Sequence, residues 1–310
     1  MKEGLQMTKE KNKKIKIVYI AAIALFISGL TACTDNDKKS EKPVTSIVKA
    51  TKDTSTAQVK AVAKSLISSS GMTVKDRFLL PEGYVRTIPS TGSFEEYLQT
   101  LPLKPDGSIV HFFDGSEKTR IVYDAVLDID VGDRDLQQCA DAVMRLRSEY
   151  LYKNKRYSEI AFHFVNGFNA EYSKWRQGYR IRVEGNNAYW VKTNGPSDDY
   201  KSFRNYLDMV YSYAGTLSLI KEVIPVDIKD MSIGDIFIDK GHTIIVLDMA
   251  ENKSTGKKLF MLAQSYMPAQ DIQILKNPED NGLSPWYELD FGEVLDTPEW
   301  TFRKGDLMRF

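Results

Sequence analysis

The 310-residue chain is poor in side chains for covalent chemistry: it has two cysteines, Cys33 and Cys139, and three histidines, His111, His163 and His242. No C-x-x-C, H-x-x-x-H or related spacing joins them, which leaves a zinc site without a ligand set, and no metal is expected. No G-x-G-x-x-G or Walker-type run occurs, so no nucleotide fold is indicated and no cofactor is expected. Charge of one sign is not in excess either, since Lys plus Arg and Asp plus Glu each number 42. The balance argues against nucleic acid as a partner and against a disordered, solvating acidic chain. The apolar run from Ile17 to Leu30 has 14 residues, short of the roughly 20 that a permanent membrane span needs.

What that run does have is context. It follows the basic stretch KEKNKKIK, and charged segment, short apolar segment and small residues come in the order of a secretory leader. It ends in LTAC, residues 30–33, which resembles the lipobox of bacterial lipoproteins. The resemblance implies a signal peptide over 1–32, a lipid on Cys33, and attachment to a membrane of the bacterial cell envelope, periplasmic or at the cell surface. Residues 33–75, rich in Lys, Ser and Thr, read as a flexible tether with a short helix at AQVKAVAKSL. The remaining 76–310 form one elaborated domain, for which a hydrophobic fraction of 42% can supply a core.

Periodicity within that domain predicts mixed helix and strand. GSFEEYLQT opens with Ser93 and has Glu96 three residues on, a capping box. A hairpin is expected around Asp114-Gly115, with Ile121, Tyr123, Ala125, Leu127 and Ile129 on one face of its second strand. Leu136, Ala140, Val143, Met144 and Leu151 return at helical spacing, with Asp133 or Asp135 available as N-cap. IAFHFV reads as a strand, YRIRVEGNNAYWV as a hairpin, and YKSFRNYLDMVYSYAGTLSLI as helical at least to Ala214. IGDIFI, HTIIVLDM and KKLFMLAQS are spaced as consecutive antiparallel strands.

A lipidated Cys33 leaves Cys139 as the odd thiol of an exported chain. Its alternatives are an inert core cysteine and a nucleophile, and a nucleophile needs help from a helix N-terminus and an imidazole. His111 and His163 sit inside aromatic strand-like runs, VHFF and FHFV; His242 follows a glycine at the entrance of a strand.

The combination of QQCADAVMRL opening a helix with IGDIFI and GHTIIVLD on two strands resembles the papain-like cysteine peptidases and amidases of the NlpC/P60 and CHAP-type group. That resemblance implies an α+β, papain-like core with a helix packed on a small antiparallel sheet. It implies Cys139 as nucleophile and His242 as base, with Gly234 and Asp235 before the preceding strand. Gln264 is the best match for the residue that orients the imidazole and Ser265 a weaker one, while Gln137 or Gln138 would supply a side-chain oxyanion donor. An insertion around 155–198 must then be assumed. The envelope address makes a peptidoglycan peptide the natural amide substrate. DLQQCADAVMRLRSEYLY, SYAGTLSL and AQSYMPAQ also resemble an uncharacterised domain-of-unknown-function family of bacterial lipoproteins, which brings no activity with it.

Other readings stay open beside this one. Cys139 shares the apolar stripe of its helix, as a core thiol would. The acidic run VLDIDVGDRD lacks the strict spacing of a calcium loop and reads more simply as a solvated strand end. Trp175, Trp190, Trp286 and Trp300 could line a groove for glycan or for a protein partner, the non-catalytic alternative.

Overall fold

The computed structural model describes residues 65–239 and 241–310; the expected leader, the lipid site at Cys33 and the tether up to residue 64 lie outside the described residues. Nine strands form one antiparallel sheet: β1 Tyr84–Arg86, β2 Tyr123–Val126, β3 Ile224–Pro225, β4 Ile236–Ile238, β5 Thr243–Asn252, β6 Lys258–Gln264, β7 Gln273–Leu275, β8 Trp286–Glu288 and β9 Leu307–Arg309. Their order is β2-β7-β6-β5-β4-β9-β3, with β1 added to β5 and β8 to β6. With helices α1 Phe94–Gln99, α2 Cys139–Lys153 and α3 Tyr200–Tyr213, the fold is α+β.

The centre is the β5–β6 hairpin. Successive positions from Thr243 to Ala250 and from Leu259 to Gln264 are all buried, so both faces of these strands are covered, and the sequence there runs almost continuously apolar. Asn252 closes the hairpin, its Oδ1 accepting from the backbone N–H of Ser254 at 3.0 Å and of Thr255 at 3.1 Å. Gly256 follows at φ 73°, a conformation that costs glycine little. Ten residues let β5 serve two neighbours, pairing 243–245 with β4 and 250–252 with β1. Helices α1 and α2 pack against β5. The rings of Phe237, Phe260, Phe291 and Phe302 gather at centroid separations of 5.8 to 6.2 Å and seat the C-terminal hairpin, Val294–Asp296 with Thr301–Arg303.

Several local expectations hold. Ser93 caps α1, accepting from the Glu96 N–H at 3.2 Å, while the Glu96 carboxylate reaches back to the Gly92 N–H at 2.6 Å. The three late apolar runs are β4, β5 and β6 in antiparallel succession. Between α2 and α3 the chain adds two small antiparallel pairs, Ala161–His163 with Asn169–Glu171 and Tyr179–Glu184 with Asn187–Lys192.

Three expectations are corrected. The domain does not begin at Asp76: Ile67 bridges Phe78, and the buried Arg77 donates to Gly71 O at 2.7 Å and Lys104 O at 3.2 Å, tying 66–77 to the body. Asp114-Gly115 does make a turn, but only His111 and Glu117 pair across it, and β2 finds its partner in β7 far downstream. That partner and the layers around β2 bury Val122, Tyr123, Ala125, Val126 and Leu127 on both faces, while Ile121 is 65% exposed. The third concerns α2, which starts at Cys139 with Gln138 as N-cap, not after Asp133 or Asp135. Asp135 is taken by a tertiary contact, accepting from Ala269 N–H at 2.7 Å and from Gln138 Nε2 at 3.0 Å. The helix is also not two-faced, because eleven of its fifteen residues are buried.

Phe260 is fully buried at the middle of this arrangement. Phe260→Ala is expected to cost about 3–5 kcal/mol, read as a lower urea midpoint with an unchanged slope.

Candidate functional site

Cys139 lies at a helix start, His242 at the entrance of β5 and Gln264 at the end of β6. Cys139 is the first residue of α2, the position at which backbone N–H groups lack intrahelical acceptors and the helix dipole is most positive. The backbone N–H of Thr243, the residue after His242, lies by its sulfur and, with the Ala140 N–H, favours the thiolate. Burial outweighs both and holds the thiol pKa above the ordinary cysteine value.

His242 sits in the tight turn between β4 and β5. Asp239 builds that turn, its Oδ1 accepting from Gly241 N–H at 2.8 Å and from His242 N–H at 3.2 Å. Glycine at 241 leaves room for the Trp300 ring, since a Cβ there would lie 2.8 Å from it and one of the two would have to shift. The imidazole is fully buried among Tyr266, Trp300 and Phe302, at centroid separations of 4.9, 5.4 and 6.0 Å. Its Nε2 is 2.8 Å from Gln264 Oε1, at the end of β6; its Nδ1 is buried with no hydrogen-bond partner. Burial depresses the imidazole pKa, opposed by the Gln264 bond and the Glu299 charge. Thiol and imidazole are therefore both neutral at neutral pH.

Behind Gln264 the contacts continue. Gln264 Nε2 donates to Glu299 Oε2 at 2.7 Å, and Lys118 Nζ is 2.7 Å from the same oxygen. Lys118 also lies 5.7 Å from the centre of the Tyr266 ring. Burial, then the Glu299 charge, then the Cys139 charge raise the phenol pKa of the half-buried Tyr266. Nothing in the sequence singled out Lys118, Glu299 or Tyr266; only Trp300 stood out, as an aromatic.

The other candidates are placed as follows. Ser265 Oγ faces away from the imidazole, 3.1 Å from Gln137 O and 2.8 Å from Gln270 O, and links the end of β6 to the loop before α2. Gln137 Oε1 accepts from the buried Arg145 at 2.8 Å and its Nε2 has no partner; the residue lines a cavity of about 270 Å³ together with Tyr200 and Tyr211. Gln138 is half-buried, with its amide on Asp135. His111 and His163 are engaged elsewhere, with Asp271 at 3.7 Å and Glu222 at 3.1 Å. Asp130 of the acidic run pairs with Arg204 at 3.0 Å and Arg145 at 3.4 Å. Access is narrow: Cys139 is 4% exposed and Gln264 2%. Cys139, His242 and Gln264 line none of four surface cavities of about 270 to 570 Å³ among the described residues.

The described residues thus define an α+β protein with a buried cysteine, histidine and glutamine gathered at one end of an antiparallel sheet. Residues 74–309 match the family described as Domain of unknown function (4846), DUF4846, and the chain belongs to that family. Neither the curated proteins nor the solved structures contain a match.

The depressed imidazole pKa has a stability consequence with a definite sign. Below about pH 6.5 the unfolded chain takes up the His242 proton before the folded one does, so stability falls on acidification until the folded value is reached and then levels off. His242→Gln removes this contribution. Urea unfolding at pH 7 and at about pH 5 should show a smaller acid loss in the variant than in the parent; an equal loss contradicts the assignment.

Proposed function

We propose that the chain is a papain-like cysteine hydrolase of the bacterial envelope, membrane-anchored through a lipid on Cys33, that cleaves an amide bond in cell-wall peptide. The observation that carries the reading is the His242 ring: Nε2 is held by Gln264, Nδ1 is bare, and the next backbone N–H lies by the Cys139 sulfur at a helix start. Cys139 is the nucleophile, His242 the general base and Gln264 the residue that orients it. Because both partners are neutral at rest, proton transfer from Sγ to Nδ1 accompanies attack on the carbonyl instead of preceding it. The tetrahedral oxyanion takes hydrogen bonds from the Cys139 backbone N–H, free at the first helical position, and from the side-chain amide of Gln137 or Gln138. The imidazolium then protonates the leaving amine, and water, deprotonated by the same nitrogen, hydrolyses the thioester. Substrate reaches the sulfur by displacing Tyr266, whose neighbours Met267 and Pro268 are exposed.

The sealed sulfur favours a second reading, a surface lipoprotein that binds glycan or a protein partner and carries the same arrangement without the reaction. Cleavage and thiol reactivity separate the two. On the hydrolase reading, folded protein is alkylated by iodoacetamide at Cys139 at a rate that climbs with pH past the ordinary cysteine value. Release of new amines from purified peptidoglycan should fall about 10²–10⁴-fold in His242→Ala. A thiol that reacts only as fast as the protein globally unfolds, with no cleavage by the parent, sinks the hydrolase.

A further inference from the structure

We infer that Glu299, held by Lys118, is a positioning residue that sets which ring nitrogen of His242 is free to act as the base; the inference rests on the hydrolase reading for its catalytic meaning, but not for its chemistry. A primary amide has one end that donates and one that accepts, and either end of Gln264 fits the space beside the imidazole. Glu299 removes the choice. Its carboxylate, paired with the ammonium of Lys118 at 2.7 Å, accepts hydrogen bonds, so the amide end 2.7 Å away is the NH2 group. Gln264 Oε1 is thereby turned to the imidazole 2.8 Å away, and a carbonyl oxygen can only accept. The neutral ring must carry its proton on Nε2, which leaves the Nδ1 lone pair bare, and Nδ1 is the buried nitrogen without a partner.

The polarity of one ion pair is passed through one amide to the ring nitrogen used in the reaction. Both members of the pair are well buried, with side chains 6% and 9% exposed, so bulk water does not relax the constraint. Lys118 adds a second restraint by lying over Tyr266, whose ring packs on His242 at 4.9 Å.

Glu299→Gln tests this directly, because a neutral amide at 299 can donate or accept and no longer dictates the orientation of Gln264. Nitrogen-15 NMR of ring-labelled full-length protein at neutral pH reports the His242 tautomer. The parent should hold a single Nε2-protonated form, and Glu299→Gln should populate the Nδ1-protonated form, with amide cleavage and Cys139 alkylation falling in proportion. Lys118→Arg, which keeps the charge on Glu299, should retain the parental tautomer. An Nδ1-protonated ring in the parent overturns the inference even if the variants fail to fold, and so does an unchanged tautomer in Glu299→Gln. A tautomer shift in a parent that never cleaves amide would leave the positioning role standing and remove only the hydrolase.

Discussion

A polar side chain sealed away from water has to find its partners inside the protein, and this constraint organises the domain from end to end. An unpaired buried donor costs on the order of 1–3 kcal/mol, more when charged. Arg77, fully buried, is held by Gly71 O and Lys104 O and so pulls the segment before it onto the body. Arg145, 2% exposed, ties Gln137, Glu149 and Tyr200 together and fixes α2 against the loop that precedes it. Asp248 sits in the middle of β5, where burial raises its pKa to about 6, with Arg86 and Gln99 gathered around it.

The cysteine and histidine cluster obeys the same rule along one side and leaves His242 Nδ1 and Thr243 Oγ1 buried without partners. Lys118, Glu299, Gln264 and the Nε2 of His242 form an unbroken succession of contacts at 2.7 to 2.8 Å, and the succession stops at Nδ1. His242 Nδ1 lies on the residue before Thr243, whose N–H is beside the Cys139 thiol.

Burial also explains why the Cys139 thiol and the His242 imidazole rest neutral. Desolvation lifts the thiol and depresses the imidazole, and each effect disfavours the ion pair that an open cleft would allow. The helix start and its N–H groups lean the other way and are outweighed by burial, with Tyr266 and Trp300 packed on the ring.

The sequence alone determined what depends on a few neighbouring residues. The Ser93 cap, the turn at Asp114-Gly115 and the apolar runs of β4 to β6 are all local patterns, and the structure has them. What tertiary structure decided depends on residues that meet only after folding. The contact of Asp135 with Ala269, 134 residues on, delays α2 until Cys139 is its first residue and gives the thiol a dipole that the apparent N-cap would have denied it. β2 chose a distant partner over its own hairpin because β7 offered a second covered face. Lys118 and Glu299, 181 residues apart, leave no trace in spacing or periodicity, because their pairing follows from how the C-terminal hairpin packs on the sheet.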